Sequence, residues 1–128
     1  MTLVDRSVVI DFLRSGDAKL LGLFRSLPGA VWGVTRAEVL HGAKNPADRA
    51  RVLTVLNAFH QIPIPDSLWD AVGDLLAALR FTGVTVPFND AMIAAVAVSA
   101  GLELWTRDSQ FKLIQRAEPR LVLFSEPP

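Results

Sequence analysis

In the segment TLVDRSVVIDFL (residues 2–13), a short apolar run ends at Asp5 and a second apolar stretch follows immediately. The run TLV (residues 2–4) has the length and character of a buried strand, whereas SVVIDFLR (residues 7–14) has the spacing of an amphipathic helix. An acidic residue therefore separates a strand from a helix. This order of strand, acid and helix guides the interpretation of the rest of the chain.

The same alternation of short apolar runs and helical patterns continues to the C-terminus. Besides the first pair, it predicts strands at AVWGV, QIPIP, LELWT and LVLF (residues 30–34, 61–65, 102–106 and 121–124), with the proline-rich one near a sheet edge. Helices are predicted between them, over residues 17–27, 35–43, 46–59, 66–81, 91–100 and 109–116. Such alternation is typical of an α/β fold, in which helices cover both faces of a parallel sheet.

The composition fits one folded domain over residues 1–128, because 51% of the 128 residues are hydrophobic and 20% are charged. The 13 basic residues balance the 13 acidic ones, so a strongly basic surface is absent overall. The lack of cysteine excludes disulfides, thiolate zinc sites and a cysteine nucleophile. The N-terminus has no signal-peptide pattern, and the uncharged residues 91–102 are too few to span a bilayer. We expect a cytoplasmic protein without membrane contact.

Four acids lie where chemistry is expected in such a fold. Asp5 directly follows a predicted strand and Asp108 comes two residues after another, while Glu38 and Asp90 lie at predicted helix starts. In open parallel sheets, ligands bind beyond the carboxyl ends of the strands. Clustered carboxylates repel one another, and a hard divalent cation relieves that repulsion.

Each acid also has a purely structural interpretation. Asp5 and Asp108 suit helix caps or turns, and Asp90 suits the positive end of a helix dipole. Glu38 follows Thr35 by three residues, which is the spacing of a capping box. Asn89 is the expected cap of the apolar helix after it. Spacing alone leaves these interpretations open.

Other kinds of catalytic site are not indicated. His41 and His60 are the only histidines and have no metal-binding spacing, so we expect structural or surface roles for them. There is no nucleophile elbow of a serine hydrolase, and no glycine-rich motif for cradling a nucleotide phosphate.

Four ordered segments resemble the motifs of PIN-domain ribonucleases, in particular toxins of the VapC type. They are LVDRSVVIDFL, TRAEVLHG, NDAMIAAVAVSAG and LWTRDSQF, and together they extend from Leu3 to Phe111. The resemblance implies a three-layer α/β/α fold with a roughly five-stranded parallel sheet. It also implies a metal site made of Asp5, Glu38, Asp90 and Asp108, supported by the hydroxyls of Ser7 and Thr106.

The same resemblance implies Mg²⁺ or Mn²⁺ as cofactor and hydrolysis of RNA as the reaction. It further implies a homodimer and a cognate VapB-like antitoxin that inserts a segment into the active-site groove. Two positions depart from the motifs: Arg6 stands where a small residue is usual, and Gln110 stands where some members have another acid. Arg6, Arg36 and Arg107 adjoin three of the acids and are candidate contacts for substrate phosphate.

Three other functions could use acids at the ends of strands. A receiver-like signalling domain would need an acidic pair after the first strand and a lysine after a late strand, but Asp5 is alone and Lys112 lies in a predicted helix. A PIN fold that only binds partners would have an impaired site, and all four acids are present. A DNA-directed nuclease stays open, because metal-dependent phosphodiester hydrolysis does not require the 2′-hydroxyl.

Overall fold

The computed structural model describes residues 1–128 and alternates strands with helices. The strands are β1 (Thr2–Val4), β2 (Gly29–Trp32), β3 (His60–Ile62) and β4 (Glu103–Trp105). The helices are α1 (Arg6–Ser15), α2 (Ala18–Ser26), α3 (Gly33–His41), α4 (Pro46–Asn57), α5 (Leu68–Phe81), α6 (Phe88–Ala100) and α7 (Phe111–Ala117). This architecture confirms the predicted α/β class.

All four strands are parallel, in the order β3-β2-β1-β4. The chain builds the sheet from β1 outward to β3, then crosses back to add β4 on the other side of β1. Thr2 pairs with Gly29 on one side and with Glu103 on the other. The strand order therefore reverses between β1 and β4, and this is the point where parallel sheets form a ligand-binding crevice.

The sheet has four strands, so the expectation of roughly five was one too many. The segment LVLF, predicted as the last strand, forms only an isolated parallel bridge between Leu123 and Leu104. Its backbone makes two hydrogen bonds to Leu104, one from Leu104 to Val122 and one from Phe124 to Leu104. These two bonds surround a single residue of the segment, so LVLF does not extend the sheet by a fifth strand.

Alternating side chains of the strands divide the core into two layers. In β1, Leu3 packs with α5, α6 and α7, whereas Val4 packs with the cluster formed by α1 to α4. Leu104 and Trp105 divide in the same way in β4, because successive strand residues point to opposite faces. The result is the predicted three-layer arrangement. No helix combines the length and apolarity that a membrane span requires.

Two helix starts differ from the sequence-based expectation. α3 begins at Gly33 with Trp32 as its N-cap, so Thr35 lies inside the helix, only 1% exposed, and forms no capping box with Glu38. The strand ends earlier than predicted and the helix follows it without a loop. α6 begins at Phe88 with Pro87 as its N-cap, so Asn89 is the second helical residue and its side chain is available for other contacts.

Candidate active site

The acids of interest approach one another at the carboxyl edge of the sheet. Asp5 directly follows β1, and Thr106 to Asp108 follow the neighbouring strand β4. Glu38 lies on α3, which begins directly after β2, and Asp90 lies in the first turn of α6. The strand–acid–helix order of the sequence thus places these residues around the point where the strand order reverses.

Asp5 is held in a fixed, buried position. The residue is 7% exposed, and its Oδ2 accepts hydrogen bonds from Ser7 Oγ at 2.7 Å and from Thr106 Oγ1 at 2.8 Å. Asp5 occupies the N-cap position of α1, yet its side chain makes no capping hydrogen bond. The two hydroxyls offset part of the cost of burying a carboxylate. The capping interpretation therefore does not account for this side chain.

The two hydroxyls link the first helix to the loop after β4. Ser7 Oγ accepts from the backbone N–H of Arg107 at 3.0 Å, and Thr106 Oγ1 accepts from the N–H of Asp108 at 3.0 Å. Each hydroxyl has one hydrogen, and both hydrogens point to Asp5 Oδ2. The two hydroxyls therefore orient this carboxylate directly, and the two backbone amides orient the hydroxyls.

Asp108 has a structural contact as well as a place at the site. One of its carboxylate oxygens, Oδ1, accepts from the backbone N–H of Gln110 at 2.9 Å, which is the turn role considered for it. The residue itself is exposed. Its other oxygen, Oδ2, has no hydrogen-bond donor in the structure. Gln110, one of the two departures from the family motifs, contributes here through its backbone.

Glu38 is held by side chains from two other elements. Its Oε2 accepts from Arg6 Nη1 at 3.1 Å and from Asn89 Nδ2 at 2.9 Å, while Oε1 has no donor. The Arg6 side chain is 53% exposed and that of Glu38 20% exposed, so this contact lies at the rim of the site. Sequence reasoning missed the role of Asn89, although an amide directly before Asp90 was a usable signal.

The pKa of Asp90 depends on the charges of the other three acids. Burial, followed by the negative charges of Asp108 and Asp5, raises the pKa of Asp90 to about 6 from an ordinary value of 3.8. Glu38 adds to this rise, while the guanidinium of Arg6 opposes it. Four carboxylates and one cation thus share one electrostatic environment, which a further cation would stabilise.

The ligand chemistry fits a hard divalent cation, although the side chains do not yet enclose one. All four groups are carboxylates, the oxygen ligands that Mg²⁺ and Mn²⁺ take. No three acidic or histidine side chains converge closely enough to hold one ion. Because Glu38 Oε2 is engaged by Arg6 and Asn89, coordination requires side-chain movement or the use of the free Oε1.

The three arginines proposed as phosphate contacts have different surroundings. Arg6 alone contacts one of the four acids. The guanidinium of Arg107 binds Glu126 at 2.7 and 2.8 Å and Asp11 at 3.2 Å, and the hydrogen bond to Glu126 is the main reason that the pKa of Arg107 is raised. Arg36 donates to Asn57 Oδ1 at 2.8 Å. Arg36 and Arg107 are therefore already occupied by other side chains.

Comparisons with known proteins agree on the family. Residues 2–117 match the PIN domain family. The chain is 33% identical over 113 residues to Ribonuclease VapC32 of Mycobacterium tuberculosis, covering 88% of each protein.

Solved structures are similar over nearly the whole chain. One is a toxin–antitoxin complex from Klebsiella pneumoniae, with a TM-score of 0.75, 26% identity and coverage of 99% of this chain and all of that one. Another is VapBC2 from Rickettsia felis bound to a promoter DNA fragment, with a TM-score of 0.83, 20% identity and 96% coverage of each chain; at that identity it supports the fold alone.

Proposed function

The chain belongs to the PIN-domain family, among the VapC ribonucleases, and on that premise we propose that it is a metal-dependent endoribonuclease acting as the toxin of a toxin–antitoxin pair. The observation that carries this proposal is the position of Asp90. Burial and the charges of Asp5, Asp108 and Glu38 together raise its pKa to about 6. Carboxylates in mutual repulsion at the carboxyl edge of a parallel sheet are well suited to a divalent cation.

We assign the metal site to Asp5, Glu38, Asp90 and Asp108. When bound, Mg²⁺ or Mn²⁺ would neutralise these carboxylates, attract the scissile phosphate and favour activation of a water for attack. Asp5 serves as the fixed member, because Ser7 and Thr106 hold its Oδ2. Asp108 keeps Oδ2 and Glu38 keeps Oε1 free of hydrogen-bond donors.

The reaction proposed is hydrolysis of an RNA phosphodiester. A water oxygen attacks phosphorus in line with the bond to the 3′-oxygen, that bond breaks, and the products carry a 5′-phosphate and a 3′-hydroxyl. In the metal-free protein the raised pKa lets Asp90 hold a proton up to about pH 6, and a bound cation would displace that proton. No side chain acts as a covalent nucleophile in this scheme.

Arg6 is the arginine best placed to contact the substrate phosphate. Its guanidinium lies at the rim of the site and is 53% exposed, and it already approaches the acids through Glu38. Arg36 and Arg107 stay in the proposal as secondary contacts. Each would first have to release its present partners, Asn57 for Arg36 and Glu126 for Arg107.

The partners proposed are an RNA substrate, a VapB-like antitoxin and a second copy of the chain. The antitoxin is supported by the similarity to a toxin–antitoxin complex at 26% identity over almost the whole chain. An antitoxin segment that enters the groove beside the acids would block access of RNA to them.

The decisive experiment is cleavage of total RNA by the purified protein with Mg²⁺ or Mn²⁺. We expect cleavage by the wild type and by Asp70→Asn, but not by Asp5→Asn. Asp70 is the matched control, because it is an exposed acid in the first turn of α5, remote in sequence from all four motifs. Equal activity of Asp5→Asn and wild type would refute the assigned site.

The DNA-directed alternative is tested in the same assay. Single-stranded DNA of the same sequence replaces the RNA, and end analysis identifies the products. A clear preference for DNA would transfer the proposal to a deoxyribonuclease while leaving the metal site in place. Growth arrest on expression, relieved by co-expression of a neighbouring small gene, tests the toxin role separately.

A further inference from the structure

A second feature of the molecule, a cleft between α1, α3 and α4, adjoins the acidic site. It encloses about 440 Å³, and Glu38 forms part of its wall. Glu38 is the one residue that the cleft and the acidic site share, and from it the cleft extends along α1 past Ile10, Leu13 and Arg14. Its other charged lining residues are Arg14, Lys44, Asp48 and Arg51.

The three basic residues of this cleft differ in the contacts that their side chains make. Arg51 donates to Asp48 Oδ1 at 3.0 Å and to the carbonyl oxygen of Leu13 at 3.0 Å, so it ties α4 to α1 and shapes the wall. Arg14 and Lys44 are exposed, and neither side chain makes an ion pair or a hydrogen bond. Lys44 is close enough to Asp48 to act on it, because the pKa of Asp48 is lowered by hydrogen bonds from the Lys44 amide and from Arg51 and also by the Lys44 charge. In a chain of zero net charge, two cations without an ion-pair partner in one cleft are a local feature rather than the consequence of a basic surface.

We propose that this cleft binds the sugar–phosphate backbone of single-stranded RNA beside the cleaved bond, through Arg14 and Lys44. The inference rests on the proposed ribonuclease function and extends its substrate contacts beyond the acids. Arg14 is nine residues from Asp5 along α1, a distance of roughly 13 Å at the usual helical rise. It therefore contacts a phosphate further along the strand rather than the scissile phosphate.

The size and chemistry of the cleft favour one strand of nucleic acid. A volume of about 440 Å³ is that of a small-ligand pocket and is too small for a nucleic-acid duplex. Phosphate contacts of this kind position a strand without reading its bases. The cleft therefore contributes affinity and direction of the strand, while base selectivity is determined elsewhere.

The test compares two double variants in the inactive Asp5→Asn background. Arg14→Gln/Lys44→Gln changes the cleft. The control, Arg25→Gln/Arg116→Gln, removes the same charge from exposed arginines that form no ion pair, one in the last turn of α2 and one in that of α7. Binding of a labelled single-stranded oligouridylate is measured with Mg²⁺ over a range of salt concentrations.

We expect the cleft pair to weaken binding on the order of tenfold at low salt, and to reduce the slope of log affinity against log salt by about 1.4, the value for two lost phosphate contacts on a single strand. The control pair should leave both quantities close to their starting values. In the active protein, the cleft pair should raise KM and leave kcat within about twofold, since these contacts are remote from the reacting atoms.

Several outcomes would overturn the inference. Equal weakening by both pairs would show that only net charge matters, and no weakening by either would remove the cleft from the RNA path. Normal RNA binding combined with lost binding of an antitoxin peptide would assign the cleft to a protein partner. If the wild type cleaves RNA but the cleft pair binds RNA with unchanged affinity and salt dependence, the inference about the cleft is wrong and the ribonuclease proposal stands. If the wild type never cleaves RNA yet the cleft effects on binding remain, the nuclease proposal fails instead.

Discussion

The two sides of the acidic site are built in different ways. On the Asp5 side, which comprises Asp5, Ser7, Thr106 and Asp108, short side chains and backbone amides enclose a carboxylate that is 7% exposed. On the Glu38 side, which comprises Glu38, Arg6 and Asn89, long or exposed side chains meet at the rim.

This difference separates a preorganised side from an adjustable one. Short side chains attached to strand ends have few rotamers to lose, so the Asp5 side keeps its geometry without a ligand. The Glu38 side consists of a partly exposed ion pair, which contributes little stability and breaks easily. We infer that binding of a cation changes the Glu38 side more than the Asp5 side.

The largest expected effect is on kcat, and it is tested by replacing one acid of each side in turn. Asp5→Asn should lower kcat about a thousandfold, equivalent to roughly 4 kcal/mol, because no neighbouring acid can move into its enclosed position. Glu38→Gln should lower kcat only about tenfold, since this rim residue is one adjustable member of the set. Single-turnover RNA cleavage measures both, with Asp70→Asn as the common control. A larger loss for Glu38→Gln would invert the comparison.

The next largest effect is on stability, and it tests the hydrogen bonds that hydroxyl groups donate to Asp5. Thr106→Val keeps the shape of the side chain but removes one donor to Asp5 Oδ2 and one acceptor for the Asp108 amide. We expect the free energy of unfolding to fall by about 1–3 kcal/mol, the usual cost of leaving buried polar groups without partners.

Urea denaturation measures this loss of stability. Thr54→Val is the control, because its hydroxyl donates only to the Ala50 carbonyl on an exposed part of α4. Equal effects of Thr106→Val and Thr54→Val would show that Asp5 does not depend on the network.

The pKa of Asp90 gives a pH-dependent test of carboxylate repulsion. The raised pKa of about 6, against 3.8 ordinarily, means that folded Asp90 keeps its proton where the unfolded chain has lost it. Stability from this group is therefore complete below about pH 4 and is lost as the pH rises through 6.

Asp90→Asn should accordingly stabilise the metal-free protein at neutral pH by about 1 kcal/mol, an amount reduced by solvent screening of this partly exposed group. The gain should vanish near pH 4 and shrink when Mg²⁺ is added at neutral pH. Denaturant titrations at the two pH values, with Asp70→Asn alongside, provide the measurement. A gain independent of pH would exclude carboxylate repulsion as its cause.

The smallest effect on stability is expected from Arg6→Ala. The pair with Glu38 is partly exposed, so the free energy of unfolding should change by less than about 0.5 kcal/mol. Mg²⁺ affinity by calorimetry should rise a few-fold, because a competing cation leaves Glu38, while KM for RNA should also rise.

The exposed pair between Arg120 and Glu118 supplies the control for that variant, and Arg120→Ala should leave both Mg²⁺ affinity and KM unchanged. Unchanged metal affinity in Arg6→Ala would place the Glu38 side outside the metal site.

Much of the fold follows from local patterns. The alternation of apolar runs with amphipathic helices predicted the α/β class, and the prolines of QIPIP predicted the edge position of β3. The two predictions that were wrong also rested on local patterns. LVLF has the composition of a strand but makes a single bridge, and Thr35 has the spacing of a cap but is buried inside α3. Sheet pairing and burial override local propensity in both cases.

Part of the candidate site could likewise be predicted from the sequence, and part could not. The position of Asp5 after a strand and that of Asp90 at the start of a helix were readable from the chain. Contacts across large sequence separations were not, and these include Asn89 with Glu38 and Arg107 with Glu126. Nothing in the local sequence distinguished the rim position of Arg6 from the occupied guanidinium of Arg107.

The sequence by itself determined the order of strands, acids and helices, because hydrophobic periodicity and backbone preferences act over short stretches of chain. It thereby determined which acids reach the carboxyl edge of the sheet. Only the tertiary structure decided which side of the site is rigid. Thr106 lies 101 residues from Asp5, and Arg6 lies 32 residues from Glu38. Whether a hydroxyl or a guanidinium holds a given carboxylate depends on how the elements pack, and packing depends on the whole chain.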